Sequence, residues 1–209
     1  GIAVGPVHPP GPSNPYRRPG SAEGRRRLAI GWVPQPEDAW AIAYLRDGEK
    51  GVAGEEARLF HLLTHTSGLP PYTDAKEAAK KLGDPCATAD LVGLIAAIPK
   101  ERPVGTEFVY SCLNYITLAH IVQKVSGMTV AEFAEANIFK PLGMSRTFYR
   151  PPAALIDACV PTEVVDGRPL RGVVHDPLAR LQGGVSGNAG LFSTADDLAV
   201  FAQMLLDKG

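Results

Sequence analysis

The chain has 209 residues, 45% hydrophobic and 21% charged, enough to bury one large core or two small ones. Its 21 Lys and Arg against 22 Asp and Glu leave a net charge of −1, which gives no electrostatic footing for nucleic acid or an acidic membrane surface. No apolar run approaches the roughly 18 residues of a membrane span, and three scattered cysteines (Cys86, Cys112, Cys159) indicate neither a disulfide framework nor a zinc site.

Residues 1–50 form an atypical Pro-, Gly- and Arg-rich segment. Without apolar periodicity it cannot offset the entropy of ordering, so it is expected to be irregular, with at most a short element around Trp40–Leu45. The Arg25-Arg26-Arg27 run reads as a solvated tail. The chain opens on Gly1 and shows no signal peptide, so a native N-terminus is expected to be missing and localisation is unreadable from this end.

Residues 51–209 carry orderly signals. Arg58 to Thr64 reads as a short amphipathic helix ending in the turn Thr66-Ser67-Gly68-Leu69-Pro70. Thr88 is placed to cap a helix carrying Leu91, Leu94, Ile95 and Ile98, stopped by Pro99. Ser111 is placed to cap a longer helix with Ile116, Ala119, Val122 and Val125 on one stripe, closed by Gly127 in the left-handed conformation. The capping box Thr129-Val-Ala-Glu132 opens a helix running to about Phe139, before Pro141. Residues 145–180 look irregular, with Val164, Val165, Val173 and Val174 as candidates for short strands. Ser193-Thr-Ala-Asp196 opens a last helix bearing Leu198, Phe201, Met204 and Leu205.

Several chemistries fail on spacing. Gly184-Val185-Ser186-Gly187-Asn188 misses the last glycine of a nucleophile elbow. His61 and His65 would share a helix face, but Leu62 stands where a zinc protease needs Glu, so no metal role is expected. The glycines of residues 183–190 lack the spacing of a phosphate or dinucleotide loop, and no cofactor is expected.

Four segments, in order, carry a family resemblance: Leu59-Phe-His-Leu-Leu-Thr-His-Thr-Ser-Gly-Leu-Pro70; Phe108-Val-Tyr-Ser-Cys-Leu-Asn-Tyr115; Ile138-Phe-Lys-Pro-Leu-Gly-Met-Ser-Arg-Thr147; and Val174-His-Asp176 with Gly183 to Leu198. Together they resemble the serine β-lactamase and penicillin-binding protein superfamily, in its class C and esterase-like branch, over about residues 56–209. The resemblance implies an α+β fold of the serine β-lactamase/DD-peptidase type, present mainly as its helical domain with an incomplete sheet. Exposed apolar faces would then favour self-association.

It also implies acyl transfer. In such enzymes a Ser hydroxyl attacks a lactam, ester or peptide carbonyl, a Lys one helical turn later faces the same side, and a Tyr relays the proton. Tyr110 matches the Tyr of the family's Y-x-N motif, and its place beside the helix start at Ser111 independently favours a phenolate. Cys112 stands at the third position, where relatives carry Asn or Asp, and a thiol is a poorer hydrogen-bonding group there. His175 and Asn188 fall in segments that border the pocket of relatives, and turn or cap roles fit them equally well.

The family's S-x-x-K is absent: none of Ser13, Ser21, Ser67, Ser111, Ser126, Ser145, Ser186 and Ser193 has Lys three residues later. Its K-T-G or H-T-G strand would follow the last helix, and the chain ends first. A truncated piece, a damaged reading frame and a non-catalytic module binding a ligand or partner all fit this pattern. The expected substrate is a small β-lactam, ester or peptide, and the expected state of this chain is inactive.

Overall fold

The computed structural model describes residues 57–208. The element expected around Trp40–Leu45 and the arginine run lie outside the described residues. Within them, eight α-helices and a two-stranded sheet follow one another: α1 (Leu59–Leu63), α2 (Ala75–Leu82), α3 (Thr88–Ala96), α4 (Cys112–Ser126), α5 (Val130–Ala134), α6 (Lys140–Leu142), β1 (Glu163–Val165), β2 (Arg168–Leu170), α7 (Pro177–Leu181) and α8 (Ala195–Leu206). The helix-rich architecture with a minimal sheet is the one expected from sequence.

Helix α4 is the axle of the core. Its 15 residues bury Leu113, Ile116, Ala119 and Ile121, and α1, α3 and α5 pack around it. The stripe sits one register away from the expected one, because Val122 and Val125 lie half-buried while Leu113 and Ile121 point inward. Leu62 from α1, Leu91 and Ile95 from α3, and Leu178 and Leu181 from α7 complete the cluster. Burying side chains of this size contributes about 1.5–3 kcal/mol each. A second, smaller cluster gathers Ala134, Phe139 and Met144 with Phe201 of α8 packed against it.

Gly127 closes α4 at φ 74°, and Thr129 and Glu132 form the reciprocal capping box at α5, both as expected. Other ends differ. Ala87 precedes α3, leaving Thr88 inside its first turn, and Thr194 takes the cap of α8 by accepting from Asp197 N at 3.3 Å. Ser193 pairs with Thr147 Oγ1 instead, at 2.8 Å. Pro141 does not stop the helical path: residues Glu135–Phe139 form a wider π turn after α5, and Pro141 enters α6 near its start, where a missing N–H costs little. Val164 and Val165 pair in the hairpin with Pro169 and Arg168, whereas Val173 and Val174 form no strand. Helices α2 and α7, not among the expected elements, start on Asp74 and Asp176 caps.

Two loops fix the N-terminal side of α4. The segment 101–112 runs along the turn 65–71, with Glu101 N on Gly68 O (2.9 Å), Gly105 N on Thr66 O (2.8 Å), Val109 N on His65 O (2.9 Å) and Cys112 N on Pro71 O (2.9 Å). Gly68 permits this approach: its φ is +80°, and a Cβ there would stand 2.1 Å from Arg102 O. Gly68→Ala is expected to destabilise the protein by about 1–3 kcal/mol, read as a lower urea midpoint with an unchanged m-value.

Candidate active site

The turn after α1 and the segment entering α4 build the site together. His65, immediately past the helix, adopts φ 57°, an uncommon left-handed conformation for a residue with a Cβ. It therefore does not share a helix face with His61, whose Nδ1 accepts from Arg58 N at 3.0 Å, and no metal-binding group of His, Cys, Asp and Glu occurs among the described residues. The left-handed turn points the His65 ring at the 108–115 segment. Ring centroids lie 5.7 Å from Phe108, 4.6 Å from Tyr110 and 5.1 Å from Tyr115. Its Nδ1 accepts from Ser111 N at 3.1 Å and faces Asn114 Nδ2 at 3.3 Å.

Asn114 is fully buried, and its Oδ1 accepts the Ser67 hydroxyl at 2.6 Å. Ser67 Oγ in turn accepts from Leu69 N at 3.3 Å. Ser67 is thus a structural hydroxyl, 1% exposed. Ser111 closes the set by donating Oγ–H to Pro70 O at 2.6 Å instead of capping its own helix. Tyr110 stands at the mouth of this network, 62% exposed, with its ring on His65.

A second cluster lies at the first turn of α4. Burial pushes the Cys112 thiol above its ordinary range; the Asn188 amide draws it partly back, and the Asp176 carboxylate raises it again. Burial thus keeps Cys112 a neutral thiol at pH 7. The Asn188 amide is close enough to act on Cys112, yet Nδ2 has no partner in full hydrogen-bond geometry. Its Oδ1 accepts from Ser186 Oγ at 2.7 Å, and Ser186 Oγ accepts from Gln182 Nε2 at 2.8 Å. Ser186 is also 1% exposed. Asn188 is brought to Cys112 because Gly187 packs its backbone onto α4, where a Cβ would meet Tyr115 O at 1.9 Å.

Asp176 links this cluster to the turn. Its Oδ1 caps α7 at Ala179 N (2.8 Å), while Oδ2 accepts the Tyr72 hydroxyl (3.1 Å), which itself accepts from Leu178 N (3.1 Å). Burial first, with the Asp176 charge adding to it, raises the Tyr72 phenol well above its ordinary value despite the Leu178 N–H, so it stays protonated.

Of the four residues singled out from sequence, the fold brings Cys112 and Asn188 into contact and sets Tyr110 two residues before Cys112 at the head of α4. His175 is not among them: it is exposed and lines a separate 440 Å³ cavity with Cys159, Thr162 and Ser193. A larger cavity of 1080 Å³, lined by Cys86, Lys124, Tyr149 and Gln182, includes neither Tyr110 nor Cys112. His65, Tyr72, Asn114 and Asp176 escaped sequence reasoning. Only the Asp176-Pro177 pair carried a local signal, that of a helix start; the others act through contacts 40 or more residues away in sequence.

This arrangement of helices and turn is that of serine β-lactamases and penicillin-binding proteins. A class C β-lactamase from Rhodobacter sphaeroides superposes with a TM-score of 0.61 at 22% identity, covering 87% of this chain and 45% of that one. A β-lactamase/D-alanine carboxypeptidase from Pseudomonas syringae gives 0.62 at 20%, covering 87% and 45%. The chain belongs to the β-lactamase family, whose model matches residues 30–209. That match begins upstream of the four motif-bearing segments. A putative D-alanyl-D-alanine carboxypeptidase from Salmonella schwarzengrund is 31% identical over 183 residues, covering 78% of this chain and 41% of the relative. The chain thus spans about two-fifths of the length of the curated relatives it matches.

Two measurements check this geometry. Tyr72→Phe removes both contacts of the hydroxyl and is expected to cost about 1–2 kcal/mol in chemical denaturation. Burial lowers the pKa of His65 and, with Arg58 adding to it, that of His61. The unfolded chain therefore takes up these protons first, so the contribution of the neutral imidazoles is complete above about pH 6.5. It declines as pH falls from there through the lowered folded values, and thermal unfolding followed from pH 7.5 to 5 should show the loss, flattened in His65→Asn.

Proposed function

We propose that residues 57–208 form the Tyr110-bearing side of an acyl-transfer cleft, and that this chain does not itself catalyse hydrolysis. The observation that carries the reading is Tyr110: a tyrosine at the position of the family's Y-x-N motif, held at the head of α4 with its phenol open to solvent. A phenol so placed is available to a substrate's leaving group, as a proton relay requires. Family membership and the resemblance to D-alanyl-D-alanine carboxypeptidases and class C β-lactamases support an amide or ester, either a β-lactam or a D-alanyl peptide, as the ligand class. Cys112 and Asn188 supply the neutral donors and acceptors beside that position.

The inactive reading is supported by the missing S-x-x-K, since none of the eight serines has Lys three residues later. Ser67 and Ser186 do not replace the nucleophile, since both hydroxyls are buried and engaged with amide side chains. What remains is a surface suited to binding. Incubation with a chromogenic cephalosporin, a nitrophenyl ester and a fluorophosphonate probe is expected to give neither turnover nor a mass tag. A tag on Ser67 or Ser186, or turnover lost on replacing either, would overturn the inactive reading. Saturable chemical-shift changes at Tyr110 and Cys112 with benzylpenicillin, without acylation, are the result expected of a binding cleft.

A further inference from the structure

We propose that His65 is the positioning residue for Tyr110, acting as a neutral Nε2–H imidazole whose Nδ1 lone pair anchors the segment that carries the tyrosine. The inference rests on Tyr110 belonging to the proposed site and names what holds it there.

His65 grips residues 108–111 in three ways. Its carbonyl accepts from Val109 N at 2.9 Å, its Nδ1 accepts from Ser111 N at 3.1 Å, and its ring meets those of Phe108 and Tyr110. A backbone N–H can only donate, so the Ser111 contact requires Nδ1 to be unprotonated. Asn114 makes the same demand: its Oδ1 is committed to the Ser67 hydroxyl, which turns Nδ2 towards His65 Nδ1 at 3.3 Å. Two donors facing one nitrogen fix the tautomer and leave the proton on Nε2.

The left-handed backbone supports this role. A non-glycine residue there gives up about 1–2 kcal/mol, and such strain persists where surrounding contacts fix it. At φ 57° the ring is carried off α1 and onto the neighbouring segment. Tyr110, by contrast, makes no hydrogen bond through its hydroxyl among the described residues, and its ring rests on His65 at a 36° tilt. The tyrosine's position is therefore set from His65, on one side by stacking and on the other through the Ser111 amide that follows it.

Two substitutions separate the acceptor from the ring. Asparagine tolerates the left-handed conformation and offers a carbonyl acceptor without a ring, whereas phenylalanine keeps a ring without an acceptor. In the unmodified chain, ¹⁵N spectra of His65 should show an unprotonated, hydrogen-bonded Nδ1 and a protonated Nε2. In His65→Phe, exchange of the Ser111 amide should accelerate about tenfold, the effect of losing one buried hydrogen bond, and the Tyr110 ring signals should move towards those of free tyrosine. In His65→Asn, the amide should stay protected within about threefold while Tyr110 loses its ring-current shift.

A proton on Nδ1 in the unmodified chain would overturn the proposal even if neither variant folds. So would Tyr110 signals unchanged in both folded variants, which would leave His65 a packing residue only. None of these readings depends on acylation or ligand binding, so failure of the proposed function would appear in the probe experiments and leave these spectra intact.

Discussion

The way helix α4 begins governs the rest of the structure. A helix leaves its first N–H groups without partners, and a Ser at the start ordinarily supplies one through its own side chain. Here the partners come from the 65–71 turn, more than 40 residues earlier: Ser111 N donates to His65 Nδ1, Cys112 N to Pro71 O, and the Ser111 hydroxyl to Pro70 O. The first turn of α4 is therefore a tertiary junction. Whatever sits there, Tyr110 and Cys112 above all, is placed by the turn as much as by the helix.

That junction is buried and polar, which makes it demanding. An unmade hydrogen bond in such a place costs about 1–3 kcal/mol, so each group must find a specific partner. Ser67, Asn114 and His65 meet the demand in sequence, and the order Ser67 to Asn114 to His65 fixes which atom of each faces the next. The neighbouring set of Gln182, Ser186, Asn188 and Cys112 is less complete, with Gln182 Oε1 and Asn188 Nδ2 lacking partners. The first set has the character of scaffold. The second keeps two buried polar atoms without partners among the described residues.

Helix α8 carries a broad apolar arc, only part of which is buried. Met204 and Phe201 face the body, and Asp197 ties the helix to the 146–147 backbone and side chain through Arg146 N at 2.8 Å and Thr147 Oγ1 at 2.7 Å. Leu198 and Leu205 flank that face and are 50% and 53% exposed. At 3.6 residues per turn Leu198 and Leu205 stand about 100–120° around the helix from Met204, which leaves them half in solvent.

The sequence by itself determined the features that depend on short range. The capping box at Thr129 and Glu132, the left-handed close at Gly127, the helical content of residues 57–208 and the family, carried by four ordered segments, were all legible, because each rests on residues within a few positions of one another or on a long ordered pattern. It also pointed to Tyr110 at the head of α4 and to the absence of S-x-x-K. The tertiary structure alone decided what each polar side chain does. Ser111 lies where a cap belongs and bonds elsewhere, His65 leaves its helix and turns to Tyr110, and Asp176, not His175, reaches the Cys112 cluster. Those choices are made by contacts between segments far apart in sequence, where a hydrogen bond depends on where the fold brings its two ends.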